Sequence, residues 1–385
     1  MALTNKLSAI GDAIREKTGK TELLTLDAMP LEIASIETGG GGGGIEVEPI
    51  VISGICQRIC AGPMASQYIK LFGNTVSTAN IDDAQYMFYQ NTVETIPFDI
   101  NIRNGASSCQ LGSMFRECFN LKELPRIRGN GKIYNCGNMF DCCYSLREIP
   151  NDYFDGLNIS HWPTATSAYS HQASYMFDYC YSLRQLPLHW FKNMNPMAHN
   201  SYSYFSYGFN DCQSLDELIG LPIPYTKATW TSNAFSSAFT GCARLKNITF
   251  EKDEDSSPIV VQWKSQTIDL SVFVGRAGAS HFITNFNSGI TKDKEVKDDA
   301  TYQALKNDPD WYTANIDYSR YNHDSAVNTI NSLPDTSAYL ATAGGTNTIK
   351  FNGAAGAKTD GGAINTLTAE EIAVATAKGW TVSFT

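Results

Sequence analysis

The chain has 385 residues, of which 43% are hydrophobic and 18% are charged, and its formal net charge at pH 7 is −10. This acidic balance excludes a nucleic-acid groove and a polybasic membrane patch, which both need clustered Lys and Arg. No run of about 18 apolar residues and no signal-peptide pattern is seen. We therefore expect folding in a cytoplasm with the ten cysteines reduced, no nucleic-acid binding and no membrane insertion.

The first 38 residues predict a short helical element. Leu3, Leu7, Ile10 and Ile14 recur at the spacing that places side chains on one face of a helix. A helix of about 15 residues is only marginally stable by itself. We therefore expect residues 1–38 to be an attachment or oligomerisation element, whose apolar stripe docks on another protein or on a second copy of the chain.

A second apolar segment, residues 24–37, follows the stripe. It carries Leu31, Ile33 and Ile36, and Pro30 limits any helix there. The six glycines that come next, residues 39–44, predict a flexible linker that spans roughly 13 Å on average. Residues 45–79 are then assigned to an N-terminal cap, although their pattern gives no firm account of their structure.

Residues 80–250 contain a repeat with the frame Phe-x-x-Cys-x-x-Leu-x-x-Leu/Ile, preceded by a degraded copy that begins at Met87. The five complete copies begin at Phe115, Phe140, Phe177, Phe209 and Phe239. Phe and Cys three residues apart share one face of a helical turn, and Leu-x-x-Leu/Ile predicts an extended segment. Units this small bury their apolar side only by stacking, so we expect Phe on Phe, Cys on Cys and Leu on Leu. The repeat cysteines are then small buried hydrophobic residues rather than metal ligands: Cys118, Cys143, Cys180, Cys212 and Cys242.

The repeat phenylalanines are unevenly spaced, so insertions separate the units. In solenoids such insertions map to loops, often on the binding face. Residues 159–175 and 199–209 are rich in Tyr, Ser, His and Trp, which suits adaptable recognition loops. The alternative is that these aromatic residues only pad the surface. The candidate receptor-binding residues are Trp162, Tyr169, Trp190, Tyr202, Tyr204 and Trp230.

No catalytic motif, metal-binding spacing or cofactor motif is evident, and we expect no enzymatic activity and no cofactor. Asp141, Asp178 and Asp211 follow the repeat Phe by one or two places and predict a ladder of stacked acids. Such a ladder needs solvent or arginine partners, for which Arg147 and Arg184 recur at matching positions. A glycosidase pair of carboxylates stays open, because any two acids can meet in space.

Residues 251–385 predict divergent repeats and a C-terminal cap. The segment SAVNTINSLP predicts a helical turn followed by a strand, and TNTIKFNG predicts a strand. In TAEEIAVATAKGW, Thr368 and Glu371 have the spacing of a capping box. Gly379 then ends that helix, and WTVSF predicts a last strand.

Two resemblances go beyond these patterns. The repeat frame resembles the BspA-type leucine-rich repeat, which implies an α/β repeat fold: a leucine-rich-repeat solenoid of short strands and helical turns, preceded by the N-terminal helical element. Residues 3–33 closely resemble the N-terminal element of many bacteriophage tail and fibre proteins. Residues 311–340 and 364–385 resemble the closing segments of phage repeat proteins.

These resemblances imply a virion protein of the tail fibre, baseplate or head fibre, made in the bacterial cytoplasm and assembled as a homotrimer. Its N-terminal element would bind other virion proteins, and its repeats would bind a bacterial surface glycan or protein. Two alternatives stay open: a structural virion component without receptor contact, and a tailspike that cleaves polysaccharide through paired acids. A bacterial surface adhesin is disfavoured by the missing signal peptide and anchor.

Overall fold

The computed structural model describes residue 12 and much of the chain from residue 50 onward. The described ranges are 50–106, 109–131, 133–150, 153, 174–186, 206–221, 235–242, 245, 247–252, 255–271, 321–352 and 367–385. The stripe Leu3, Leu7, Ile10 and Ile14 lies outside the described residues. The six candidate aromatics also lie outside them: Trp162, Tyr169, Trp190, Tyr202, Tyr204 and Trp230.

Within these ranges, short strands are joined by turns, and helices lie near the two ends. The strands are β1 (Ile50–Ile55), β2 (Val76–Asp83), β3 (Ile100–Asn101), β4 (Cys109–Gln110), β5 (Ile127–Arg128), β6 (Ile133–Asn135), β7 (Glu217–Leu221), β8 (Asn247–Phe250), β9 (Thr267–Leu270), β10 (Asn347–Phe351) and β11 (Trp380–Phe384). The helices are α1 (Gly62–Phe72), α2 (His323–Ser332), α3 (Ser337–Ala343) and α4 (Ala369–Ala377). In α1, Pro63 lies in the first turn, where its missing N–H has no helical partner to lose.

Successive units pair in parallel and form a ladder. β1 pairs with β2, β3 with β5, β4 with β6 and β7 with β8, all in parallel. Parallel bridges also join Thr95 to Glu123 and Glu148 to Gln185. Each bridge lies two residues after the repeat Leu position. The extended segment predicted there is therefore confirmed.

An additional unit precedes the first copy that the sequence predicted. It consists of β1 and the turn at residues 56–62. In this turn the Cys60 N–H donates to the Met87 carbonyl at 2.9 Å, so Cys60 occupies the position of the repeat Phe. The predicted boundary between residues 79 and 80 lies inside β2.

The backbone of the turns differs from the predicted helical turn. The Phe115 N–H crosses to the Met139 carbonyl of the next unit at 2.9 Å, while the next N–H, of Arg116, stays within its own turn. To direct the N–H groups alternately in this way, each turn has two residues with a left-handed backbone, four positions apart. In this unit they are Ser113 (φ 55°) and Glu117 (φ 60°). An α-helix directs every N–H along its own axis. The helical-turn expectation is wrong here, because half of these N–H groups bind the neighbouring unit.

A column of stacked phenylalanine rings forms the centre of the ladder. Consecutive rings lie 5.3 to 6.1 Å apart and within 10° of parallel. The column consists of Phe88, Phe115, Phe140, Phe177, Phe209 and Phe239, all buried. The predicted stacking of Phe on Phe is confirmed, and the repeat leucines and cysteines are buried beside it.

The C-terminal region is a three-stranded parallel sheet in the order β11-β10-β9, with helices α2 to α4 nearby. The predicted capping box is confirmed: Thr368 Oγ1 accepts from the Glu371 N–H, and Glu371 Oε2 accepts from the Thr368 N–H. The strands predicted in TNTIKFNG and WTVSF are β10 and β11. SAVNTINSLP differs from its prediction, because most of it belongs to the full helix α2, and the unpredicted helix α3 follows.

Helix α2 covers the outer edge of β8. Thr329 Oγ1 donates to the Ile248 carbonyl at 2.6 Å, and Ser332 Oγ accepts from the Phe250 N–H at 3.0 Å. In a longer ladder these backbone groups would pair with the next strand. Hydroxyl groups of a helix therefore satisfy the edge of β8.

Candidate recognition surface

The two segments predicted as insertions, residues 159–175 and 199–209, lie largely outside the described residues. The described residues on either side of them belong to consecutive units of the ladder. Glu148 and Gln185, which precede them, are paired in a bridge. At their C-terminal ends the Tyr175 N–H donates to the Ser206 carbonyl at 3.0 Å. Their corresponding ends are thus one unit apart.

Tyrosine rings lie beside the returning ends of these insertions. Tyr175 and Tyr207 occupy the same position of consecutive units, two residues before the repeat Phe. Their rings stack with centroids 4.9 Å apart and planes 5° from parallel. Tyr207 is 36% exposed, and Tyr175 and Tyr179 are half-buried. These rings offer apolar faces together with hydroxyl groups, which suits a wet binding surface.

The same position nearer the N-terminus has a different environment. Tyr86 stands two residues before Phe88, but the Arg58 guanidinium lies 4.9 Å from the centre of its ring. The same guanidinium is 5.2 Å from the Tyr89 ring. These rings have a cation as their neighbour, whereas Tyr175 and Tyr207 stack on each other.

A polar column follows the phenylalanine column by one residue. Arg116, Asp141, Asp178 and Asn210 take this position in consecutive units. Arg116 Nε is 3.0 Å from Asp141 Oδ2, and Asn210 Nδ2 donates to Asp178 Oδ1 at 2.7 Å. Two of the three predicted acids, Asp141 and Asp178, therefore share this column, which is flanked by a cation on one side and an amide on the other. The third, Asp211, lies one residue later, and Asn210 takes its place in the column.

The arginine beside Asp141 was not the one that the sequence predicted. Arg147 and Arg184 were the expected partners, whereas the ion pair that the structure shows is with Arg116. Arg116 was not predicted because it occupies, in the first complete copy, the same repeat position that Asp141 and Asp178 occupy in the next two copies. Aligning the first complete copy with the second would have placed Arg116 next to Asp141.

Burial changes the protonation of these acids. Burial, opposed by hydrogen bonding from Asn210, raises the pKa of Asp178 to about 8, and the neighbouring Asp141 and Asp211 carboxyls raise it further. Burial also raises the pKa of Asp141 to about 6, although Arg116 opposes this rise. Asp178 is thus largely protonated at neutral pH. The predicted repulsion between stacked acids is relieved by protonation and by pairing with Arg116.

The repeat cysteines act as hydrogen-bond donors as well as packing groups. Each Sγ lies 2.9 to 3.1 Å from the carbonyl oxygen of the repeat Phe one unit earlier. Burial raises the pKa of the Cys143 thiol well above its ordinary value, so this thiol keeps its proton. In the degraded copy Asn91 takes the position, and its Nδ2 donates to the Cys60 carbonyl at 2.8 Å. The third residue after the repeat Phe is therefore a small buried side chain that donates a hydrogen bond to the preceding unit.

The remaining observations concern metal and membrane. Across the described ranges, no group of three or more His, Cys, Asp and Glu side chains is placed to hold a metal ion. In the same part of the chain, no helix is long and apolar enough to cross a membrane.

Tyr175 and Tyr207 lie within the two segments predicted as recognition loops, but neither they nor Tyr179 were among the six candidate receptor-binding residues. A signal for two of them was present, because Tyr-x-Phe recurs with Tyr86, Tyr175 and Tyr207 two residues before a repeat Phe. Comparisons of this chain with protein-family models, with curated proteins and with solved structures find no match.

Proposed function

We propose that this chain is a bacteriophage virion protein that binds the host surface through the insertions and tyrosines of its ladder. The virion assignment rests on the resemblance of residues 3–33 to the N-terminal element of phage tail and fibre proteins. The binding role is carried by one observation: insertions rich in aromatic residues are anchored one unit apart, beside the stacked rings of Tyr175 and Tyr207.

The choice of tyrosine at this turn position supports a role in binding. The left-handed backbone there belongs to the turn itself, since Ser113 and Asn138 have the same φ of 55° as Tyr175. Because serine and asparagine fill the position in other units, the fold does not require an aromatic ring there. The stacked rings of Tyr175 and Tyr207 in consecutive units are therefore candidates for contact with a ligand.

The other parts of the proposal follow from the resemblances. The ladder is a leucine-rich-repeat solenoid of the BspA type, displayed by a homotrimer. Leu3, Leu7, Ile10 and Ile14 bind other virion proteins, and the glycines at residues 39–44 separate this element from the ladder. The ligand is a bacterial surface glycan or protein, bound without catalysis and without a cofactor.

The test is co-sedimentation of the full chain with a panel of bacterial cells, with bound protein and released sugar measured together. The variant is Tyr175→Ala with Tyr207→Ala, and the matched control is Tyr86→Ala, at the same repeat position away from the insertions. A second set, Trp162→Ala, Trp190→Ala and Trp230→Ala, probes the insertions themselves. We expect saturable binding to a few strains that falls at least about ten-fold in the paired tyrosine variant, equivalent to about 1.4 kcal/mol, and changes little in the control.

Each outcome decides between the alternatives. Saturable binding without released sugar, weakened by the tyrosine variant, supports recognition by the ladder. Released sugar would replace this proposal with a polysaccharide-cleaving tailspike. Binding to no strain, including the host of the phage, would leave a structural virion component. An equal loss of binding in Tyr86→Ala would show that the binding surface is not the part of the ladder next to the insertions.

A further inference from the structure

An apolar cavity of about 200 Å³ lies at the N-terminal end of the ladder, between α1 and the first two strands. Its walls include Ile50 and Ile52 of β1 and Met64, Ala65 and Tyr68 of α1. A dry apolar cavity of roughly 150 Å³ takes up benzene. This cavity therefore has room for a branched aliphatic side chain.

Exposed apolar side chains also occur at this end of the ladder. Met64, in the cavity wall, is 56% exposed, and Val51 and Ile55 of β1, which are not part of the wall, are 57% and 75% exposed. In the described sheet β1 pairs only with β2, so its other edge faces outward. Large apolar patches on soluble proteins usually mark contact sites. This end of the ladder therefore has the properties of a surface that another segment covers.

The path of the chain identifies the segment. Ile50 both begins β1 and lines the cavity, so the preceding residues reach the ladder at the cavity itself. The apolar segment at residues 24–37, with Leu31, Ile33 and Ile36, is separated from Ile50 by residues 38–49. Those 12 residues extend at most roughly 43 Å, and six of them are glycines.

We propose that residues 24–37 of the same chain dock on this end of the ladder and place an aliphatic side chain, from Leu31, Ile33 or Ile36, in the cavity. A short flexible tether gives an effective concentration of the order of millimolar, so even weak intrinsic affinity keeps the site occupied. This role is separate from that of the stripe Leu3 to Ile14, which stays available for other proteins. The segment thus covers the first unit in the way that α2 covers β8.

The test is disulfide formation in the full chain between Met64→Cys, at the rim of the cavity, and Ile33→Cys. One control pairs Ile33→Cys with Val374→Cys, which is 37% exposed on α4. A second control pairs Met64→Cys with Leu7→Cys in the attachment stripe. Nine of the ten native cysteines are buried, but Cys60 lines the cavity and is therefore replaced by alanine in every variant. Peptide mapping after mild oxidation measures the rate at which each pair forms.

We expect the Met64→Cys and Ile33→Cys pair to form within one chain at least about ten-fold faster than either control. A filling substitution, Ala65→Trp, should reduce this rate towards that of the controls. Equal rates for all pairs would overturn the proposal. A disulfide that forms between two chains, at a rate that rises with protein concentration, would assign the cavity to a second copy and also overturn it. Host binding by the ladder is measured separately, so the two proposals fail independently.

Discussion

The two ends of the ladder are completed in different ways. At the C-terminal end, the hydroxyls of Thr329 and Ser332 on α2 bind the outer edge of β8. At the N-terminal end, β1 has an outward edge, and Val51 and Ile55 are exposed. A stacked unit covers its neighbour, so the last unit at each end needs a different cover. At the C-terminal end, helix α2 covers the last strand of the ladder. Among the described residues, the N-terminal end instead presents an exposed apolar surface.

The contrast extends to the helices at the two ends. Helix α4 has a capping box, whereas the N-cap residue of α1, Ala61, makes no side-chain cap hydrogen bond. The last helix of the C-terminal end therefore has a side-chain cap that the helix of the N-terminal end lacks. We expect substitutions at the two ends to differ in their effect on the free energy of unfolding.

The largest difference should come from Trp380→Ala, compared with Met64→Ala. Trp380 is 1% exposed, and its Nε1 donates to the Pro334 carbonyl at 2.8 Å. Its removal should lower the free energy of unfolding by about 3–5 kcal/mol. Met64 is 56% exposed, so its truncation should lower it by less than about 1 kcal/mol. Urea unfolding measures both, and comparable losses would show that the N-terminal end is as tightly packed as the C-terminal cap.

Two glycines allow a sharper comparison between early and late units. Gly62 and Gly241 occupy the same turn position, with φ angles of 80° and 76°. A Cβ at Gly241 would lie 2.2 Å from Asp211 Oδ1, whereas a Cβ at Gly62 meets nothing within 4 Å. Gly241→Ala should cost about 2–4 kcal/mol from left-handed strain and overpacking, and Gly62→Ala about 1–2 kcal/mol from strain alone. Chemical denaturation of both variants tests this, and equal losses would exclude the clash.

Between the ends, the buried acids predict a dependence on pH. The folded pKa of Asp178 is about 8, above its ordinary value of 3.8. The folded chain therefore binds more protons than the unfolded chain between about pH 4 and 8. This contribution to stability is fully present below the ordinary pKa and is lost as pH rises through the folded value. Asp178→Asn removes the charge and should stabilise the chain by about 1–3 kcal/mol at pH 8.

The measurement is the free energy of unfolding of the parent and Asp178→Asn at a series of pH values from 4 to 9. The difference between the two should be small near pH 4 and should grow towards pH 8. Asp255→Asn is the control, since Asp255 is an exposed acid whose pKa is lowered by hydrogen bonds from Ser257. A difference that is constant with pH would contradict the burial of a titrating carboxyl at Asp178.

The sequence predicted the units of the ladder wherever Phe, Cys and Leu recur, because that periodicity reflects side chains stacked in columns. The sequence did not predict the first unit, because this unit has Cys60 in place of the repeat Phe and Gly62 two residues later, and so does not match the repeat frame. It also missed the left-handed turns, because Glu117 and Cys142, with φ angles of 60° and 62°, are not residues that indicate such a backbone. Hydrogen bonds to the next unit hold these residues there, and one sequence does not reveal such bonds.

The repeat cysteines show a second limit of prediction from the sequence. As a sequence feature, Cys three residues after Phe indicated a small apolar side chain. The structure shows that the position also supplies a donor, since Asn91 donates to the Cys60 carbonyl where its sister units use a thiol. Asn91 was the clue, because an amide in place of a hydrophobic residue points to hydrogen bonding. Tyr175 and Tyr207 lie in the segments predicted as insertions, but one sequence does not reveal that their rings stack on each other in consecutive units.

The smallest predicted effects test helix capping at the two ends. Thr368→Ala removes the acceptor for the Glu371 N–H in α4 and should lower the free energy of unfolding by about 1 kcal/mol. Ala61→Asp places a negative charge next to the N-terminus of α1 and should raise it by about 0.3–1 kcal/mol. Gly62, the first residue of α1, has a left-handed backbone with φ 80°, so the new side chain should act through its charge rather than as a helix cap. Amide hydrogen exchange assigns each change to its helix. A gain in Ala61→Asp that is absent from the amides of α1 would show that the charge acts elsewhere, and the two ends would then differ in packing but not in capping.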